Sequence, residues 1–184
     1  MKQSMITFMD TETTGLPQAI GADLIFQPYI IEIFAIQMKE TKKGLKEVRR
    51  IDTLIKPPIP LPAVITKITG LKDHNLTGAP TFPDLYKEIV SVFFGSKRMV
   101  AHNLPFDIGL LKFELERMNK LFHFPYPPDH FCTVEQSMNL KGRRLKLIEL
   151  HEIATGEPTI IDAHRAENDV MAMVKCYEYL RRKG

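Results

Sequence analysis

From Met5 to Met9 the chain is apolar apart from one threonine, and it then runs straight into Asp10-Thr11-Glu12-Thr13-Thr14-Gly15-Leu16. A run of this kind predicts a strand, in which successive side chains point to opposite faces. Asp10 and Glu12 therefore share a face, about 7 Å apart along the strand. Two acids at the end of a strand too apolar to be exposed need a counter-charge. Unpaired, they cost several kcal/mol or take up protons.

Residues 18–28 keep no period and read as a loop. Tyr29–Met38 is rich in β-branched and aromatic residues and predicts a strand. Lys42-Lys43-Gly44 is a turn, and Lys46–Lys56 alternates as a returning strand. The acidic strand thus opens a three-stranded antiparallel meander. The proline-rich piece Pro57–Pro62 ends it, because proline cannot donate to a ladder. Apolar periodicity resumes at once, so this piece is an internal connection.

A short helix follows over Ala63–Ile68, closed by Gly70. An amphipathic helix over Phe82–Phe94 carries Phe82, Leu85, Ile89, Val92 and Phe93, with a proline in its first turn. Lys97–His102 predicts a short strand, and Leu104–Lys120 a helix with apolar Ile108, Leu111, Leu115 and Met118. After a Phe124–Pro128 loop come a brief extended piece near Phe131–Thr133 and a helix around Leu145–Ala154 that ends at Gly156. The last helix starts near Ala166 and carries Val170, Met173, Val174, Tyr177 and Leu180. Strands and helices around one mixed sheet define an α/β domain.

Composition narrows the class. The chain has 184 residues, 44% apolar and 26% charged, as in an ordinary globular domain. A net charge of +3 permits an anionic partner without requiring one. Cys132 and Cys176 stand far apart with no metal-ligand spacing, which suits reduced thiols in a reducing compartment. No apolar run approaches a membrane span and no signal core is visible, so a cytoplasmic protein without a membrane partner is expected.

Three features join the opening acids. Asp107 falls in the first turn of its helix, on or beside the buried face; taken alone, an acid there is also favoured by the helix dipole. Asp169 shares a helical face with Met173, Cys176 and Leu180, which is hard to reconcile with a solvated charge. His164, five residues earlier, is rotated by about 140° from Asp169 if both are helical, so it suits the loop before the helix. His74, His123, His130 and His151 read as polar surface.

Asp10-Thr-Glu12-Thr-Thr-Gly, His102-Asn-Leu-Pro-Phe-Asp107 and His164-Arg-Ala-Glu-Asn-Asp169 resemble, in order, the three motifs of the DEDD exonucleases. The His-x-x-x-x-Asp form of the third is that of the DEDDh branch. The likeness is greatest to the proofreading epsilon subunits of bacterial DNA polymerase III, and it runs from Ile6 to about Leu180. Ile68-Thr69-Gly70-Leu71 and Ala79-Pro80-Thr81-Phe82 resemble that group's segment between the first two motifs. Thr69, and Cys132-Thr133-Val134, depart from the common pattern without touching the five motif residues.

The resemblance implies a ribonuclease H-like fold and a single exonuclease domain over residues 1–184. It further implies a 3′–5′ exonuclease that releases nucleoside 5′-monophosphates from DNA. Asp10, Glu12, Asp107 and Asp169 would hold two divalent cations; all-oxygen ligation suits Mg²⁺ or Mn²⁺. His164 would be the general base. Thr13, Thr14, Gly15, Leu16, His102, Asn103 and Phe106 would contact the terminal nucleotide. Single-stranded DNA or the 3′ ends of duplexes are the expected partners, with a polymerase or a second copy of the chain as further ones. The stop at Gly184, about one turn past the last helix, suits a stand-alone or loosely associated enzyme. Two alternatives share these residues: an exoribonuclease, and a non-catalytic nucleic-acid-binding module that would need no intact acid set.

Overall fold

The computed structural model describes residues 4–158 and 165–183. Its five strands form one mixed sheet in the order β3-β2-β1-β4-β5. β1 (Met5–Thr13), β2 (Ile30–Thr41) and β3 (Gly44–Leu54) are the antiparallel meander. β4 (Arg98–Ala101) and β5 (Asp129–Cys132) extend it in parallel on the other side of β1.

β1 is buried on both faces, and its alternation decides what each face meets. Phe8 packs edge-on against Tyr177 of α7 (Ala166–Lys183), with ring centroids 5.2 Å apart. On the other face Thr7 donates a hydrogen bond to the Val92 carbonyl of α3 (Phe82–Phe93) at 2.9 Å. Thr11 reaches α4 (Leu104–Arg117) on that same face. Buried polar groups favour pairing there, and the Ser96 hydroxyl meets both the Thr7 hydroxyl at 2.8 Å and the Gln37 amide nitrogen, which donates to it at 2.7 Å.

Two small helices, α1 (Ala63–Thr69) and α2 (Asp73–Leu76), bury Ile65 and Leu76, with Leu71 between them, against Ile31. Gly70 ends α1 in the left-handed conformation, φ 74°, which a side chain would strain. α5 (Thr133–Lys141) and α6 (Leu147–Thr155) complete the chain, and Leu145 and Leu150 pack against Cys176 and Leu180 of α7. Both cysteines are free and buried.

The structure departs from the sequence pattern at four places. Thr133 starts α5, which the sequence reading left out, and it is not part of the extended piece. The one-turn α2 was also absent from it. α4 turns Leu104, Asp107, Leu110, Leu111, Glu114 and Leu115 inward, whereas Ile108 and Met118 are only half-buried. His151 is no surface residue, being buried beside Leu150 on the inner side of α6.

Candidate active site

The site lies where the sheet opens. β4 pairs with β1 only from Ile6 to Phe8, and β4 ends at Ala101, so among the described residues no strand covers that side of β1 at Asp10 and beyond. The chain turns through His102 and Asn103, whose φ of 73° is left-handed, a conformation asparagine tolerates better than most residues. α4 starts at once and brings Asp107 back beneath β1. The Thr11 hydroxyl donates to Oδ1 of Asp107 at 2.9 Å. From the opposite face, the first turn of α7 carries Asp169.

Asp10, Glu12 and Asp169 each offer a carboxylate oxygen, and these oxygens lie within 4.8 Å of one another. At that distance two full charges repel by roughly 3–4 kcal/mol at an effective dielectric of about 20. The carboxyls answer by holding protons. Asp10 is raised well above the usual aspartate value, first by burial and then by Asp107, Asp169, Glu12 and Glu32, all negative. Glu12 is raised to about 8, by burial and then chiefly by Glu32 and Asp169. Asp107, the deepest, is raised to about 7 by burial, against the opposing hydrogen bond from Thr11. Oxygen donors this close and of like charge fit hard divalent cations.

The five motif residues are therefore placed as follows. Asp10, Glu12 and Asp169 come together, Asp107 stands behind them, and His164 lies outside the described residues. Of the outer ring, Thr13 donates to the Gly15 carbonyl at 2.7 Å, and Thr14 accepts from the Tyr29 amide at 2.9 Å. Both hydroxyls hold the turn that follows β1. Gly15 is half-buried at that turn, and Leu16 projects from it, 74% exposed. Asn103 is exposed, and Phe106 packs half-buried against the core. The His102 ring meets the Thr133 hydroxyl at 2.8 Å, and burial holds its pKa down at about 4.

Four residues escaped the sequence reading. Glu32 lies directly across from Glu12 in the β1–β2 pair and is buried. Its signal was a lone acid inside an otherwise apolar run. Arg165 binds Glu32 through a forked contact at 2.9–3.3 Å, a partner 133 residues away that no local pattern reveals. Glu114 accepts the Ile30 amide at 2.9 Å. Arg117 donates to the carbonyls of Leu24, Gln27 and Pro28 and stacks 3.8 Å over the Tyr29 ring, tying down the loop beyond Leu16.

A mixed sheet with motif acids gathered where it opens, one of them on the final helix, agrees with the class that the family profile names, an exonuclease. The chain belongs to the RNase_T exonuclease family, whose profile matches residues 7–177. It is 29% identical over 171 residues to the DNA polymerase III subunit epsilon of Treponema pallidum, covering 93% of this chain and 74% of that one. It is 27% identical over 174 residues to the DNA polymerase III PolC-type of Clostridium perfringens, covering 95% of this chain but spanning only 11% of that protein. The fold is shared with the nuclease domain of 3′hExo, a DEDDh family member, bound to rAMP. That match has a TM-score of 0.73 at 16% identity and covers 100% and 94% of the two chains. Exonuclease X in complex with 5′ overhanging duplex DNA matches with a TM-score of 0.65 at 20% identity, covering 97% and 92%. Among the described residues no helix is long and apolar enough to cross a membrane.

Proposed function

We propose that residues 1–184 form one exonuclease domain that removes nucleotides from the 3′ end of DNA, in the manner of a proofreading subunit. The observation that carries this reading is the convergence of Asp10, Glu12 and Asp169 within 4.8 Å, with Asp107 behind them. Two divalent cations, Mg²⁺ or Mn²⁺, would supply charge neutralisation and an acidified water for in-line displacement at phosphorus. Asp10, between the other acids, would contact both sites. Glu12 and Asp169 would hold the side of the attacking water, and Asp107 would act from behind, its orientation fixed by Thr11. His164 would take the proton of that water; this role rests on its place in the third motif.

Leu16, projecting from the turn after Glu12, is suited to wedge beside the terminal base, and Asn103 to reach the backbone. Phe106 would support the same nucleotide from the core side, and His102 would set the angle at which the chain leaves β4. DNA is favoured over RNA because the relatives matched along most of this chain are named as parts of DNA polymerase III. The same names support association with a polymerase as the further partner.

The test is a matched pair of single strands, one DNA and one RNA, together with a mismatched duplex, each incubated with Mg²⁺ or Mn²⁺ and the products separated. Nucleoside 5′-monophosphates released faster from DNA are expected. Faster release from RNA would replace this reading with an exoribonuclease, and no release from any strand would leave a binding module.

A further inference from the structure

A buried acid has been placed where the site can least tolerate one. Glu32 is 2% exposed, lies between Ile31 and Ile33, and faces Glu12 across the β1–β2 pair. It adds negative charge to a cluster that already repels itself, since it opposes ionisation of both Asp10 and Glu12. For stability alone an apolar residue would serve as well or better, because a buried ion pair seldom repays its desolvation. The contacts of Glu32 indicate a different use. Arg165 forks onto its carboxylate through Nε and Nη2. The backbone carbonyl of Arg165 then accepts the amide of Asp169 at 3.1 Å, in the first turn of α7. The path from Glu12 to Asp169 thus runs through one cross-strand pair, one forked ion pair and one helical hydrogen bond. A second tie, Arg50 of β3 to Glu167 at 2.9 Å, holds the same turn from the solvent side.

We propose that Glu32 and Arg165 are positioning residues: a latch that fixes the start of α7 against β2 and so sets Asp169 at cation-sharing distance from Asp10 and Glu12. This rests on the metal-dependent reading above. The latch depends on geometry and not on charge alone, since the planar fork of arginine matches a carboxylate in a way that a lysine ammonium does not.

Wild type over residues 1–184, Glu32→Gln, Arg165→Lys and Arg165→Gln are titrated with Mn²⁺ by calorimetry, and kcat and KM are measured on a single-stranded oligonucleotide. Each variant is expected to bind Mn²⁺ about 10-fold more weakly, the scale on which residues behind metal ligands act. The corresponding loss should fall on kcat at saturating oligonucleotide, with KM unchanged. Arg165→Lys decides the matter should Glu32→Gln not fold, because the Arg165 side chain is 49% exposed and its conservative replacement leaves the core intact. Wild-type affinity in Arg165→Lys, with or without a defect in Arg165→Gln, would overturn the latch. A wild-type chain that takes up no Mn²⁺ would overturn the metal-dependent reading and the latch with it.

Discussion

Glu12→Gln should make the metal-free protein more stable while destroying its activity. The Glu12 carboxyl is raised from 4.5 to about 8 in the folded chain. An unfolded glutamate releases its proton at the lower value, so between the two the folded state binds more protons and stability falls as pH rises. The slope is about 1.36 kcal/mol per pH unit, a ceiling of about 3 kcal/mol by pH 7. Glu12 keeps an edge to solvent, and screening there reduces the figure to about 2 kcal/mol. For a chain of this length that corresponds to roughly 4–8 °C in Tm. The assay is thermal unfolding in EDTA at pH 5, 6, 7 and 8, followed by circular dichroism. Wild type should lose Tm steadily across the series, with Asp10 and Asp107 contributing in the same direction. Glu12→Gln should flatten the curve and melt higher at pH 8, and Mn²⁺ should raise the wild type far more than the variant. A wild-type Tm independent of pH, or equal Tm values for the two proteins at pH 8, would refute the reasoning.

His164→Gln should lower kcat by about 10²–10⁴-fold at unchanged Tm, the range for a lost general base; a variant as fast as wild type removes His164 from the mechanism. His102 is expected to confer acid sensitivity. Its pKa drops from 6.5 to about 4, so its contribution is present above pH 6.5 and is lost as pH falls toward 4, by at most about 3 kcal/mol. His102→Asn should flatten that acid limb in circular dichroism. Thr7→Val strips the Ser96 hydroxyl and the Val92 carbonyl of a buried partner and should cost about 1–3 kcal/mol in urea unfolding. Its Mn²⁺ affinity should stay at the wild-type value, since Thr7 lies on the face of β1 away from Asp10, Glu12 and Asp169 and four residues along the strand from Thr11, which holds Asp107.

What could be read along the chain was what obeys a local period. The meander and the faces of Asp10 and Glu12 follow from two-residue alternation. The inward turn of Asp169 follows from its alignment with Met173, Cys176 and Leu180. α5 escaped because its buried side is Thr133, Val134 and Ser137, and two hydroxyl residues leave little apolar pattern to find. The inner face of α4 was misjudged for a related reason. Glu114 is buried there in place of an apolar residue, held by the Ile30 amide and Arg117. Glu32 and Arg165 are unremarkable one at a time, and only the fold brings them together. The third motif shows the opposite balance: its spacing named His164, while the described residues supply the geometry of Asp169 alone.

The central claim is tested most directly on a single-stranded DNA oligonucleotide labelled at its 5′ end, incubated with Mn²⁺ and sampled over time. The expected result is a ladder shortened one nucleotide at a time from the 3′ end, abolished by EDTA and by Asp10→Asn. Internal cuts, loss of the 5′ label as a mononucleotide at the outset, or an unchanged ladder in Asp10→Asn would contradict it.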